Sequence, residues 1–286
     1  MGDLLKNKFA IITGGGRGIG RAIAERFAQE GCDLLLAART KSELENSTKA
    51  IRSKYGVQVK YQAIDISDDN SVHSMVEQAI SEFGKIDILV NNAAIIGPMG
   101  EITDINIEDF FNTLRINLGG TVLCAQTVAK HMKKNNCGTI INLSGGGALY
   151  PLPFYDAYSA SKAAVVRLTE NFAIEFEKYN ITVAAISPGA VNTKMFEEQL
   201  ALNKEIIGEN NWLNLQQRLQ SGGDSIAKAP ELAVYIASDK RTELNGRVIS
   251  AIWDDWVKIS DNKDRVTNSD FYKMRRIIPK DRGMNF

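Results

Sequence analysis

Histidine and cysteine are scarce in this chain of 286 residues, which has two of the first and three of the second. Cys32, Cys124 and Cys137 lie far apart and in no metal-ligand spacing, which points to small core residues in a reducing compartment and against a disulfide framework. His73 and His131 sit in helical patterns, so neither a metal site nor a histidine-based catalytic triad is expected. An excess of either charge is also missing, since 34 Lys plus Arg balance 34 Asp plus Glu. No overall basic field draws the chain to nucleic acid or an anionic membrane. No run reaches the roughly 18 apolar residues of a membrane span, and the opening Met1-Gly2-Asp3 is acidic without a signal-peptide core. The expectation is a cytoplasmic protein with small-molecule partners, no nucleic acid and no membrane.

What is present is an ordinary globular composition, 44% hydrophobic and 24% charged. Short apolar, β-rich runs near 8–13, 32–38, 57–64, 86–91, 138–143, 181–187 and 247–252 alternate with amphipathic stretches. Runs that are apolar rather than alternating fit a parallel sheet covered on both faces, and the spacings leave room for a helical crossover between strands. The pattern predicts a doubly wound α/β fold in one domain over residues 1–256. Residues 193–225 are long and rich in amides (Asn203, Asn210, Asn211, Asn214, Gln216, Gln217) and follow the sixth strand. An insertion at the carboxyl end of such a strand is expected to be a lid over a ligand. Residues 257–286 are a charged tail, expected to be disordered or to wrap a neighbouring subunit.

Two motifs carry chemistry. Thr13-Gly14-Gly15-Gly16-Arg17-Gly18-Ile19-Gly20 joins an apolar strand to a helical pattern. Glycines there permit a tight turn and a close approach of backbone to a pyrophosphate, whose charge suits the free N–H groups of a helix start. The second motif is Tyr158-Ser159-Ala160-Ser161-Lys162, at the head of a helical segment over 156–179. Residues i and i+4 share a helix face, so the phenol and the ammonium can address one site. A unit charge about 4 Å from the phenol, at an effective dielectric near 20, is worth roughly 4 kcal/mol, enough to lower its pKa by about two to three. The expectation is a tyrosine that exchanges a proton with an alcohol or carbonyl while hydride passes to or from a nicotinamide.

With these motifs and those below, the chain resembles the short-chain dehydrogenase/reductase family, in its compact single-domain branch, over about residues 5–252. Residues 13–20 match the family's TGxxxGxG, Asp65 its adenine contact, and Asn91-Asn92-Ala93-Ala94 its NNAG with Ala94 for Gly. Asn117 matches its helix asparagine, Tyr158 and Lys162 its catalytic pair, and Ser187 to Thr193 its PG-x-V-x-T turn. The resemblance implies a Rossmann fold. It implies that Gly14, Gly16, Arg17, Gly18, Ile19, Gly20, Asp65, Ile66, Asn91 and Ala93 lie in the cofactor region. Pro188, Gly189, Val191 and Thr193 would hold the carboxamide end, Lys162 would bond the nicotinamide ribose, and Asn117 would anchor a water in a proton relay to Lys162. It also implies a homodimer or homotetramer.

One departure concerns the family's serine, which usually stands 13 residues before the tyrosine. That position here is Gly145, and Ser144 stands one residue further back. Either the glycine loop absorbs an extra residue and Ser144 polarises the substrate, or the hydroxyl is missing. Absorption is the expectation, because loops tolerate insertions. At the end of the second strand stands Arg39, where a carboxylate would select NAD; with Arg17 it points to NADP(H) through bonds to a 2′-phosphate.

The function expected is NADPH-dependent reduction of a ketone or aldehyde to an alcohol. The amide-rich lid suggests a polar, sugar-like or hydroxy-ketone substrate. The alternatives are reduction of a 3-oxoacyl thioester and cofactor binding without turnover. TGxxxGxG and the lack of a C-terminal substrate domain speak against a nucleotide-sugar epimerase.

Overall fold

The seven apolar runs become seven strands: β1 (Phe9–Thr13), β2 (Asp33–Ala38), β3 (Val59–Ala63), β4 (Ile88–Asn91), β5 (Gly138–Leu143), β6 (Ile181–Ser187) and β7 (Val248–Ser250). Each end lies within two residues of the expected one. The structure is a computed structural model that describes residues 2–238 and 242–285; Met1 and Phe286, the ends of the expected domain and tail, lie outside the described residues. The strands form one parallel sheet in the order β3-β2-β1-β4-β5-β6-β7. The order reverses between β1 and β4, which opens a crevice at their carboxyl ends.

Strand residues point alternately to the two faces, so each face needs its own cover. Ala10 and Ile12 of β1 join one cluster and Phe9 and Ile11 the other. The first face is covered by α1 (Gly18–Gln29), α2 (Lys41–Tyr55) and, later in the chain, the helix Lys228–Ser238. The second is covered by α3 (Asp69–Phe83), α5 (Gly120–Asn135) and α6 (Asp156–Phe176); α4 (Ile107–Leu114) packs on α6 and runs through a π-helical turn at Arg115–Gly119 into α5. Ile23 and Phe27 of α1 and Val72 and Met75 of α3 are fully buried. Each such side chain contributes about 1.5–3 kcal/mol by leaving water. Edge strand β3 departs from the apolar pattern, with Lys60 and Gln62 only partly covered.

The insertion after β6 forms α7 (Lys194–Leu200), α8 (Lys204–Ile207) and α9 (Glu209–Ser221), followed by α10 (Lys228–Ser238). Phe196, Ile207 and Leu215 from the first three pack on Ile96 and Tyr155 in a satellite core, with Tyr158 and Trp212 against it. In the tail, α11 (Trp256–Asp261) and α12 (Lys263–Thr267) form helices that fold back on their own sheet, with Ile259 and Val266 in its core cluster. The cause is Arg247, just before β7. Its buried guanidinium donates to the carbonyls of Glu243 (2.7 Å), Ser269 (3.2 Å), Val266 and Phe271. Val248 N–H then donates to Tyr272 O at 2.9 Å, so the tail also covers the edge of β7. No helix among the described residues is long and apolar enough to cross a membrane.

Candidate active site

The turn after β1 is shaped by its neighbours across the crevice. Thr13 Oγ1 accepts from the N–H groups of Asn92 (3.0 Å) and Ala93 (3.1 Å), and Asn92 Nδ2 donates to Thr13 O at 2.9 Å. The ends of β1 and β4 are thereby locked together. Gly14 adopts φ +67° and Gly18 φ +55°, a region that favours glycine. At Gly20 the demand is for space: a Cβ would fall 2.4 Å from both Gly14 O and Asn92 Nδ2. Its glycine is therefore required for packing helix on turn. The first turn of α1 has no side-chain cap, in contrast to α3, where the Asp68 carboxylate accepts from Ser71 N–H at 2.8 Å. Its free N–H groups face the crevice and suit a pyrophosphate.

One cleft runs along the carboxyl ends of the strands and brings together Gly14, Gly16, Arg17, Gly18, Ile19, Arg39, Asp65, Ile66, Ala93, Ser144, Tyr158, Lys162, Pro188 and Thr193. Five residues expected there are not on its wall. Gly20 supports the turn from behind. Asn91 is turned into the sheet, where its Nδ2 donates to Asn142 Oδ1 (3.0 Å), and Asn142 Nδ2 donates in turn to Thr169 Oγ1 (2.9 Å). Adjacent strand residues face opposite ways, and Asn92 occupies the cleft position instead. Gly189 has φ +86° and a Cβ there would meet Ile252, while Val191 is buried with its carbonyl accepting from Arg218 at 2.6 Å. Asn117 sits in the π turn with its amide fully used. Its Oδ1 accepts from Ile95 N–H (2.8 Å) and its Nδ2 donates to Ile95 O (2.9 Å) and Ser161 Oγ (3.0 Å). Ser161 Oγ donates to Tyr158 O at 2.7 Å, so the Asn117 side chain clamps the head of α6.

Tyr158 and Lys162 do share one face of α6, with the ammonium 5.7 Å from the ring centre. The expected acidification of the phenol is not found. Burial pushes Tyr158 up to about 12 and Lys162 down to about 8, because each loses the water that would stabilise its charged form. The ammonium lies under the ring and donates to Leu143 O at 2.8 Å, instead of pointing at the hydroxyl. Only one of its three donors has a partner among the described residues, although the side chain is almost wholly buried. An ammonium so placed fits a ligand hydroxyl group, and with the glycine turn and uncapped helix it makes the cleft suited to a nicotinamide dinucleotide.

Arg17 pairs with Glu43 at 2.8 Å, a cleft residue that no motif had singled out. Arg39 is exposed at the cleft and has no carboxylate partner among the described residues. Three amides of the lid have partners of their own: Asn203 caps α8, Asn211 donates to Pro153 O (3.0 Å) and Ile207 O (2.8 Å), and Gln199 donates to Met195 O (2.9 Å). The wall beside the phenol is apolar.

Comparison with known proteins agrees with this geometry. The family model for short chain dehydrogenase matches residues 8–203. Levodione reductase of Leifsonia aquatica is 32% identical over 248 residues, covering 85% of this chain and 92% of that one. A 3-oxoacyl-[acyl-carrier-protein] reductase of Chlamydia trachomatis is 31% identical over 251 residues, covering 87% and 98%. A solved structure of NAD+-bound xylitol dehydrogenase superposes with a TM-score of 0.81 at 28% identity, covering 86% of this chain and 98% of its own. With a glycine turn, a parallel seven-stranded sheet and a Tyr–Lys pair in one cleft, the chain belongs to the short-chain dehydrogenase/reductase family, NAD(P)-dependent oxidoreductases acting on CH–OH and C=O groups.

Proposed function

We propose that the protein reduces a ketone or aldehyde to an alcohol with NADPH, with Tyr158 as the proton donor. The observation that carries this reading is that the Tyr158 phenol, the Lys162 ammonium and the Ser144 hydroxyl line the same cleft, and the last has no hydrogen-bond partner among the described residues. When bound, the nicotinamide supplies the hydride. A phenol pushed up to about 12 is protonated at neutral pH, the form that gives a proton to a carbonyl oxygen as charge develops on it. Lys162 uses its two free donors to hold the cofactor ribose and to favour the phenolate left after transfer. Ser144 polarises the carbonyl. Asn117 acts through Ser161, fixing the backbone of Tyr158.

The choice of NADPH is supported by the Arg39 guanidinium, which has no carboxylate partner among the described residues and suits a 2′-phosphate, with Arg17 nearby held by Glu43. The apolar wall formed by Phe196, Ile96 and their neighbours favours a carbonyl with an apolar flank. The same wall supports a second reading, reduction of a 3-oxoacyl thioester. The exposed Ile107 and Phe111 on α4 and Ile174 on α6 support a homo-oligomer, either dimer or tetramer, which sedimentation would distinguish.

The test is a panel of carbonyl compounds, including acetoacetyl thioesters and keto sugars, followed by loss of NADPH absorbance. Phenylalanine at 158 is expected to abolish turnover, and Arg39→Ala to raise KM for NADPH about tenfold with little effect on NADH. A wild-type KM for NADPH no lower than that for NADH would refute the cofactor choice. Undiminished reduction by Tyr158→Phe would refute the mechanism.

A further inference from the structure

The loop that follows β5 passes unusually close to the head of α6. A Cβ at Gly145 would fall 2.3 Å from Tyr158 Oη, 3.0 Å from Cζ and 3.1 Å from Cε1. A Cβ at Gly147 would fall 2.2 Å from Ser159 Oγ, and this residue has φ +79°. Gly146 between them has room, since its Cβ would meet only Leu152 at 3.6 Å. The first and third glycines are thus required by what lies against them, while the second is not. The phenol end of Tyr158 rests directly on the bare backbone of Gly145.

We propose that Gly145 is a positioning residue that sets where the Tyr158 hydroxyl stands in the cleft, and that a side chain at 145, serine included, displaces the phenol instead of assisting it. This deepens the reading under Proposed function and rests on it. Something must give way when a Cβ is added, and the loop is the stiffer side. Ser144 N–H donates to Ile186 O at 2.8 Å, Lys162 holds Leu143 O at 2.8 Å, and Ala148 N–H donates to Gly145 O at 3.3 Å. The phenol is the far end of a side chain with two rotatable bonds. Ordinary van der Waals separation from a Cβ requires it to move about 1 Å, a displacement that costs little in folding but can cost about 100-fold in rate when reacting atoms lose alignment. Ser144 then remains as the one hydroxyl beside the phenol on this strand end.

The experiment compares Gly145→Ala, Gly145→Ser and Gly146→Ala in the full chain, with three readouts: NADPH binding by fluorescence, kcat on the best carbonyl of the panel, and phenol ionisation by ultraviolet difference against Tyr158→Phe. Both changes at 145 are expected to bind NADPH within about threefold of wild type and to lose about 100-fold in kcat. Their Tyr158 phenol, freed from its buried seat, is expected to ionise at least about one pH unit lower than in wild type. Gly146→Ala is expected to match wild type within about twofold. A Gly145→Ser enzyme as fast as wild type, or a phenol that titrates unchanged in both variants, overturns the proposal. Should the wild-type protein reduce no carbonyl, the function proposed above falls, and the titration alone still decides the position of the phenol. If Gly145→Ala does not fold, the double variant with Tyr158→Phe removes the nearest of the three close atoms, Oη, and leaves contacts of 3.0 Å and longer; recovery of folding supports the proposal and continued failure overturns it.

Discussion

Lys162→Met is expected to make the apo-protein more stable at neutral pH while abolishing turnover. Burial lowers the ammonium's pKa from 10.5 to about 8, a drop of about 2.5. At about 1.36 kcal/mol for each unit, the charged side chain is disfavoured by up to about 3 kcal/mol relative to its neutral form in the folded protein. Removing it also leaves Leu143 O without its donor, a loss of about 1–3 kcal/mol. The net gain at pH 7 is up to about 2 kcal/mol. The pH dependence is the sharper signature. Below about pH 8 the lysine is protonated in both folded and unfolded states, so the penalty is fully present. Between about 8 and 10.5 the unfolded state binds more protons than the folded one, and wild-type stability rises with pH relative to the variant. Above 10.5 both states are neutral and the advantage of methionine is gone, leaving only the lost hydrogen bond. Urea unfolding of both proteins at intervals from pH 7 to 10.5 measures the difference. A stability difference independent of pH across that window would refute the claim that this ammonium is held at an energetic cost.

Gly20→Ala tests the packing of α1 on the glycine turn. Alanine is worth about 1 kcal/mol more than glycine inside a helix, yet its Cβ would collide with Gly14 O and Asn92 Nδ2. The expected result is net destabilisation of about 1–3 kcal/mol with at least tenfold weaker NADPH binding, read by thermal melting and fluorescence titration; an unchanged melting temperature would contradict it. Arg247→Met should cost at least about 3 kcal/mol, since it orphans the buried carbonyls of Glu243 and Val266 and the partly buried ones of Ser269 and Phe271. It should also free the tail, which limited proteolysis after about residue 255 would detect; a tail as resistant as in wild type would show that other contacts hold it.

The strand runs, the parallel fold and the glycine turn were legible in the sequence because each depends on neighbours close along the chain. Apolar runs such as Phe9–Thr13 are buried wherever they pair, and an i, i+4 pair such as Tyr158 and Lys162 shares a helix face whatever packs on it. Which side of a strand end faces the cleft was not legible, as Asn91 and Asn92 show: two adjacent identical residues are separated in role only by the register of β4 against β1 and β5. The protonation of the Tyr–Lys pair likewise belonged to the tertiary structure, since spacing sets who is near but burial sets what each charge costs. The amides of the lid and the charges of the tail read as free groups in the sequence. Asn211 of the lid donates to Pro153 O, and the tail is held by Arg247, whose guanidinium donates to Phe271 O; only the folded chain brings a donor to an acceptor across such separations.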